Sequence, residues 1–292
     1  MQRRDFLRSG VAAGATALTA LSATPASATA PRADHRHSEG QADEIRQSVC
    51  KWCFPDMTVE QLAVAAKQIG IQSIELLGPD DFPTLKAHGL VCAMANGPSG
   101  INRGWNRVEN HDAFVPAFEQ RIREVAEAGF PNVITFSGNR EGMDDEQGLE
   151  NCVTGLRRIL PAAERHGVTV CMELLNSKVN HPDYMCDHTA WGVELVKRLG
   201  SERFKLLYDI YHMQIMEGDV IRTVRDNHQY IGHYHTAGNP GRHELDDTQE
   251  LFYPAIMRAI KETGFTGFVA QEFIPTRDPI ASLAEAYRTC NV

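Results

Sequence analysis

From residue 45 to residue 292, short apolar runs rich in β-forming residues alternate with longer stretches of helical periodicity, which constrains the fold more than anything else in the chain. The runs are Ser48–Phe54, Ser73–Leu77, Leu90–Ala95, Asn132–Ser137, Thr169–Glu173, Lys205–Asp209, Ile231–His235 and Phe268–Glu272. Between them, Leu62, Ala66 and Ile69 form one helical stripe, and Leu149, Val153, Leu156, Leu160 and Ala163 form another. Gly70, Gly89, Gly129, Gly167 and Gly264 stand where helices should end, just before the next run. Eight strands alternating with helices predict an α/β protein, a (β/α)8 barrel spanning residues 46–292. A doubly wound sheet is the alternative, but no glycine-rich dinucleotide fingerprint follows the first run.

Residues 1–30 read as a signal rather than as fold. Arg3-Arg4-Asp5-Phe6-Leu7 is a twin-arginine signature, an Ala-rich apolar stretch follows from Val11 to Leu21, and Ala26-Ser27-Ala28 and Ala28-Thr29-Ala30 are small-residue cleavage sites. The apolar stretch is short of the ~20 residues that span a bilayer. The expectation is a periplasmic or secreted protein, exported by the twin-arginine translocase and beginning near residue 29 or 31. Residues 31–45 are polar and read as a flexible leader.

The formal charge is −9. Residues 1–28 hold Arg3, Arg4, Arg8 and Asp5, a net +2, so the remainder stands at −11. An acidic body with no basic stripe excludes a nucleic-acid surface, which needs clustered Lys and Arg to neutralise phosphate. The cysteine count of 7 is odd, so not all can pair with one another. Cys50-Lys51-Trp52-Cys53 has redox spacing, but it sits in a strand-like run and opens no helix, the setting that lowers a thiol pKa. Cys92, Cys152 and Cys171 lie in apolar runs and read as core.

The last four runs each end in a metal-type ligand: Glu173, Asp209, His235 and Glu272. Four consecutive barrel strands put these residues on one arc. The outer members, Glu173 and Glu272, have the longest reach, and the inner members are shorter, so all four can share one focus. Three carboxylates and one imidazole suit a single divalent cation of the Mn²⁺, Mg²⁺ or Co²⁺ type. The longest loops, Asn96–Asn110, Leu174–Asp187 and Thr236–Thr248, follow strand ends, on the face where barrels carry chemistry. Within them Arg242 is placed to clamp a carboxylate or hydroxyl, and Trp105 to cover a substrate. Glu75 ends the second run and is placed to face the pocket; Lys51 is within reach of it. His233, one layer below His235, reads as a hydrogen-bonded core histidine.

Tyr208-Asp209-Ile210-Tyr211-His212-Met213-Gln214 with Glu217-Gly218 resembles a signature of the hydroxypyruvate isomerase family. Asn239-Pro240-Gly241-Arg242-His243-Glu244, Glu173-Leu174-Leu175-Asn176 and Gln271-Glu272-Phe273 resemble further segments of it. The resemblance covers roughly residues 48–290 and implies the xylose-isomerase-like TIM barrel superfamily, which also holds ketose 3-epimerases and inosose dehydratases. It implies an isomerase of the aldose–ketose type that converts hydroxypyruvate to tartronate semialdehyde through an enediolate. Glu173 and Glu272 would act as acid and base, and His212 would donate to a substrate oxygen; by their own placement Arg242 and Glu75 are the further candidates for substrate contact. It also implies that the chain associates into a homo-oligomer. Two departures leave the substrate open. His235 stands where the hydroxypyruvate branch carries Gln and the epimerase branch carries His, and Leu245-Asp246-Asp247-Thr248-Gln249-Glu250 replaces a Pro-Gly-Thr-Gly-Glu-like run. A ketose 3-epimerase, a dehydratase-like lyase and a non-catalytic sugar-binding barrel are the other readings.

Overall fold

The computed structural model describes residues 44–292. The expected signal segment, and the expected leader up to residue 43, lie outside the described residues.

The described chain alternates strands and helices. The strands are β1 Arg46–Cys50, β2 Ser73–Glu75, β3 Asn132–Thr135, β4 Thr169–Leu174, β5 Phe204–Asp209, β6 Ile231–Thr236 and β7 Phe268–Gln271. The helices are α1 Val59–Ile69, α2 Phe82–Ala87, α3 His111–Ala128, α4 Asp145–Leu156, α5 Leu160–His166, α6 Thr189–Leu199, α7 Ile210–Met216, α8 Val220–Asn227, α9 Tyr253–Glu262 and α10 Pro279–Cys290. The strands form one 7-stranded sheet in the order β2-β1-β7-β6-β5-β4-β3, and every pairing in it is parallel. Its strands are buried on both faces, as expected of a parallel sheet with helices packed outside it.

The third of the eight expected strands, Leu90–Ala95, is not a regular strand. Val91 bridges Ser73, and Ala95 bridges both Leu77 and Val133, so this segment touches both edges of the sheet through isolated contacts. Side chains capture its middle: Ser73 Oγ accepts from the Ala93 N–H at 2.9 Å, and Asn132 Nδ2 donates to the Ala93 carbonyl at 2.8 Å. A backbone whose donor and acceptor are both taken by side chains cannot continue a ladder.

Local signals explain the helix limits. Thr58 and Gln61 form a reciprocal capping box at the start of α1, worth about 1 kcal/mol, and Gly70 ends that helix at φ +106°. The stripe expected to run unbroken from Leu149 to Ala163 is split between α4 and α5. Pro161 lacks the N–H that a continuous helix would need there.

Two layers of side chains face the inside of the sheet. The lower one contains Met94, Ile134, Cys171 and Leu207, a small apolar cluster against which Leu76 and Phe136 pack. The register pairs Leu207 with Glu173 and with His233, and Asp209 with His235. Alternation then lifts Glu173, Asp209 and His235 onto the same inner face, at the C-terminal ends of their strands.

Candidate active site

Glu173 lies near the end of β4, Asp209 at the end of β5, His235 near the end of β6, and Glu272 one residue past β7. All four are buried, and their ligand atoms lie within 4.8 Å of one another. His235 Nδ1 stands 2.7 Å from Glu272 Oε2 and 3.3 Å from Glu173 Oε1, without an aligned hydrogen bond to either. Asp209 is also the N-cap of α7, its Oδ1 accepting from the His212 N–H at 3.0 Å, which leaves Oδ2 for the cluster.

Arg242 enters this cluster from the loop after β6. It lies in the left-handed region (φ 62°), next to Gly241 (φ 99°). Its neighbour Gly238 has no room for a Cβ, which would meet the Glu244 carbonyl at 2.2 Å. Arg242 Nη2 donates to Glu272 Oε2 at 2.5 Å and to Asp209 Oδ2 at 3.3 Å, and Nη1 lies 2.7 Å from His212 Nε2. The Asn176 N–H meets the other His212 nitrogen, Nδ1, at 3.1 Å. A neutral imidazole offers only one acceptor nitrogen, so these two donors compete for it.

Burial pushes the Glu173 carboxyl up, and the Glu272 charge adds to that rise. Burial pushes Asp209 up to about 7, despite the nearby Arg242. Glu272 is buried too, but the His235 and Arg242 charges hold it well below the usual carboxylate range. His235 shows the mirror effect: burial opposes its charge, and Glu272 outweighs it, raising the imidazole well above its ordinary value. Burial and the Arg242 charge lower His212 well below its ordinary range.

Glu75, expected at the substrate, sits on the other side of the His235 ring. Its Oε1 meets His235 Nε2 at 2.9 Å and His233 Nε2 at 2.8 Å, and it is not among the residues that line the cavity. Although burial opposes ionisation, His233 above all, then His235, holds Glu75 down to about 2. Its contact fixes which way the His235 ring presents its two nitrogens. Trp105, expected to cover a substrate, is fully buried; its Nε1 donates to Thr135 Oγ1 at 2.7 Å and its ring packs on Phe114 and Phe118. Lys51 reaches back to the Phe54 carbonyl at 2.9 Å and is absent from the cavity wall. Cys50 closes β1, and Cys53 ends a short turn of 3₁₀ helix rather than continuing a strand. Both thiols are unpaired and buried, and burial, then Glu272, pushes their pKa values well up, away from the reactive range.

A cavity of about 390 Å³ opens beside the cluster. Glu173, Glu272, His212 and Arg242 line one side of it, and Leu76, Ile101, Ile134 and Phe136 contribute apolar wall. Trp52 and His181 also line it, and neither stood out in the sequence. The usable signal was position: Trp52 follows the end of β1 and Phe136 the end of β3, the same station that marked the four cluster residues.

The family described as xylose isomerase-like TIM barrel matches residues 64–290. The chain belongs to that family. Among curated relatives, the 2-oxo-tetronate isomerase of Cupriavidus necator is 28% identical over 240 residues, covering 77% of this chain and 90% of that protein. The hydroxypyruvate isomerase of Escherichia coli is 26% identical over 234 residues, covering 75% of this chain and 88% of that protein. A crystal structure described as AP endonuclease, family 2, from Brucella melitensis superposes with a TM-score of 0.74 at 27% identity, covering 82% of this chain and 97% of that one. Both curated relatives are named as isomerases, and the chain is an isomerase.

Proposed function

We propose that this chain is a divalent-metal-dependent isomerase that shifts the carbonyl of a small hydroxy-carbonyl acid to the neighbouring carbon, with hydroxypyruvate the leading substrate. The observation that carries this reading is the pair Glu173 and Glu272, which share one cluster and line one cavity together with Arg242.

The donor set fits a cation. Three buried carboxylates and an imidazole nitrogen without an aligned partner converge, and the Arg242 guanidinium already lies among them as a resident positive charge. Glu173, Asp209, His235 and Glu272 would hold a Mn²⁺, Mg²⁺ or Co²⁺ ion. Such an ion supplies Lewis acidity that makes the carbon next to the carbonyl more acidic. The protein groups do the rest. One glutamate takes the proton from C3 of hydroxypyruvate, giving an enediol, and the same or the facing glutamate delivers a proton to C2. The hydroxyl proton passes from O3 to O2, so atoms balance and tartronate semialdehyde results. Arg242 provides the cationic group for the substrate carboxylate, and His212 a ring nitrogen for a substrate oxygen. The apolar wall keeps water from the carbanionic carbon.

His235 favours a second reading, a ketose 3-epimerase, in which the proton returns to the opposite face of the carbon that lost it. A panel of hydroxypyruvate, ketopentoses and ketohexoses, run with manganese, magnesium and cobalt in heavy water, separates the two. Carbonyl migration on hydroxypyruvate supports the first; a ketose with its carbonyl in place, labelled and inverted at C3, supports the second. Turnover on none of them defeats both. The N-terminal segment adds a proposal of location: export by the twin-arginine route, tested by sequencing the N-terminus of the exported protein, which should begin near residue 29 or 31.

A further inference from the structure

Glu272 has two oxygens with different surroundings. Oε2 faces His235 Nδ1 at 2.7 Å and Arg242 Nη2 at 2.5 Å, inside the four-residue cluster. Oε1 accepts a hydrogen bond from Trp52 Nε1 at 2.8 Å. Trp52 is 45% exposed while Glu272 is 3% exposed, so a surface indole reaches in to a buried carboxylate. The indole is held from several sides. It sits on the Lys51–Cys53 turn directly after β1, between buried Cys50 and Cys53. Phe54 packs edge-on against Phe273, the residue after Glu272, with ring centroids 6.3 Å apart. The Arg242 guanidinium carbon lies 5.3 Å from the Trp52 ring centre and 5.1 Å from that of Tyr211.

We propose that Trp52 is a positioning residue for Glu272: its N–H fixes the carboxylate rotation by holding Oε1, which keeps Oε2 turned into the cluster. A carboxylate is free to spin about its terminal bond unless both oxygens are held, and here the second hold comes from Trp52. This inference rests on the reading of Glu272 as an acid/base residue.

The test begins with metal-free, ¹⁵N-labelled protein. The chain has 3 tryptophans, and the other two indoles have their own partners, Trp105 on Thr135 and Trp191 on the Asp145 carbonyl. Trp52→Phe assigns the Trp52 indole signal by deleting it. Glu272→Gln should move that signal upfield while the other two stay in place, because an amide oxygen is a weaker acceptor than a carboxylate. In the metal-loaded enzyme, Trp52→Phe should lower kcat by about 10- to 100-fold with KM changed less than about twofold, since a misplaced catalytic group costs rate rather than binding. An unmoved indole signal in Glu272→Gln overturns the proposal, as does Trp52→Phe with wild-type kcat while Glu272→Gln is inactive. Glu272→Gln with wild-type turnover overturns the acid/base reading itself, whatever the indole signal does.

Discussion

The two walls of the cavity are built from different halves of the sheet and do opposite things. The ends of β4 to β7, with the loop after β6, present Glu173, His212, Arg242 and Glu272; the other wall offers Leu76, Ile101, Ile134 and Phe136. The apolar wall is continuous with the inner cluster beneath the site, since Ile134 belongs to both and Leu76 and Phe136 pack on it. A low-dielectric wall facing a charged one strengthens every interaction across the charged side. There, protonation is decided by which cation is nearest. Glu272, in contact with both His235 and Arg242, is held low, whereas Asp209, whose Arg242 contact is longer at 3.3 Å, is pushed up to about 7 by burial.

Removing charge from the polar wall tests this contrast most sharply. Glu173→Gln and Glu272→Gln are each expected to lose at least about 100-fold in turnover while circular dichroism and thermal transitions stay close to wild type. Full activity in either variant would remove that glutamate from the chemistry. Chelation comes next. Treatment with a strong chelator should abolish turnover and readdition of manganese should restore it; unchanged activity in the chelator would break the metal reading.

Glu75 probes the layer behind the polar wall. Because its Oε1 meets His235 Nε2, Glu75→Gln should weaken manganese affinity by about 10- to 100-fold in titration calorimetry. Wild-type affinity would show that the ring needs no such support.

The smallest effect lies outside both walls, at Glu244, which braces the Arg242 loop. Its carboxylate accepts from the Thr276 N–H, Thr276 Oγ1 and Ser282 Oγ. Burial pushes it up, but these bonds, led by the Thr276 N–H, hold it down to about 2. A depressed folded-state pKa gives stability that is fully present above the unfolded value of ~4.3 and is lost as pH falls through about 2. Glu244→Gln should therefore cost on the order of 2 kcal/mol at pH 7, and the difference from wild type should shrink below about pH 4 in urea unfolding. A pH-independent difference would mean that the charge is not what holds the loop.

Much of the charged wall was legible in the sequence, and little of the apolar one. Glu173, Asp209, His235 and Glu272 each close an apolar run, so a local pattern marked them. Ile134 and Phe136 lie in a run like any other, with nothing polar to single them out. Trp105 and Trp52 were equally ambiguous as residue types: Trp105, expected over the substrate, is core, and Trp52, which nothing in the sequence singled out, is cavity wall.

The sequence alone determined the alternation of strand and helix, the glycine-ended helices and the strand-end positions of the four cluster residues, because these follow from periods of two and 3.6 residues along a local stretch. Only the tertiary structure decided that Ala93, in the middle of residues 90–95, yields its backbone bonds to Ser73 and Asn132, that Glu75 stands behind His235, and that Trp52 reaches Glu272. The last contact spans 220 positions and exists because β1 pairs with β7. Sheet order brings distant chain together, and no local period encodes which side chain will meet which across that seam.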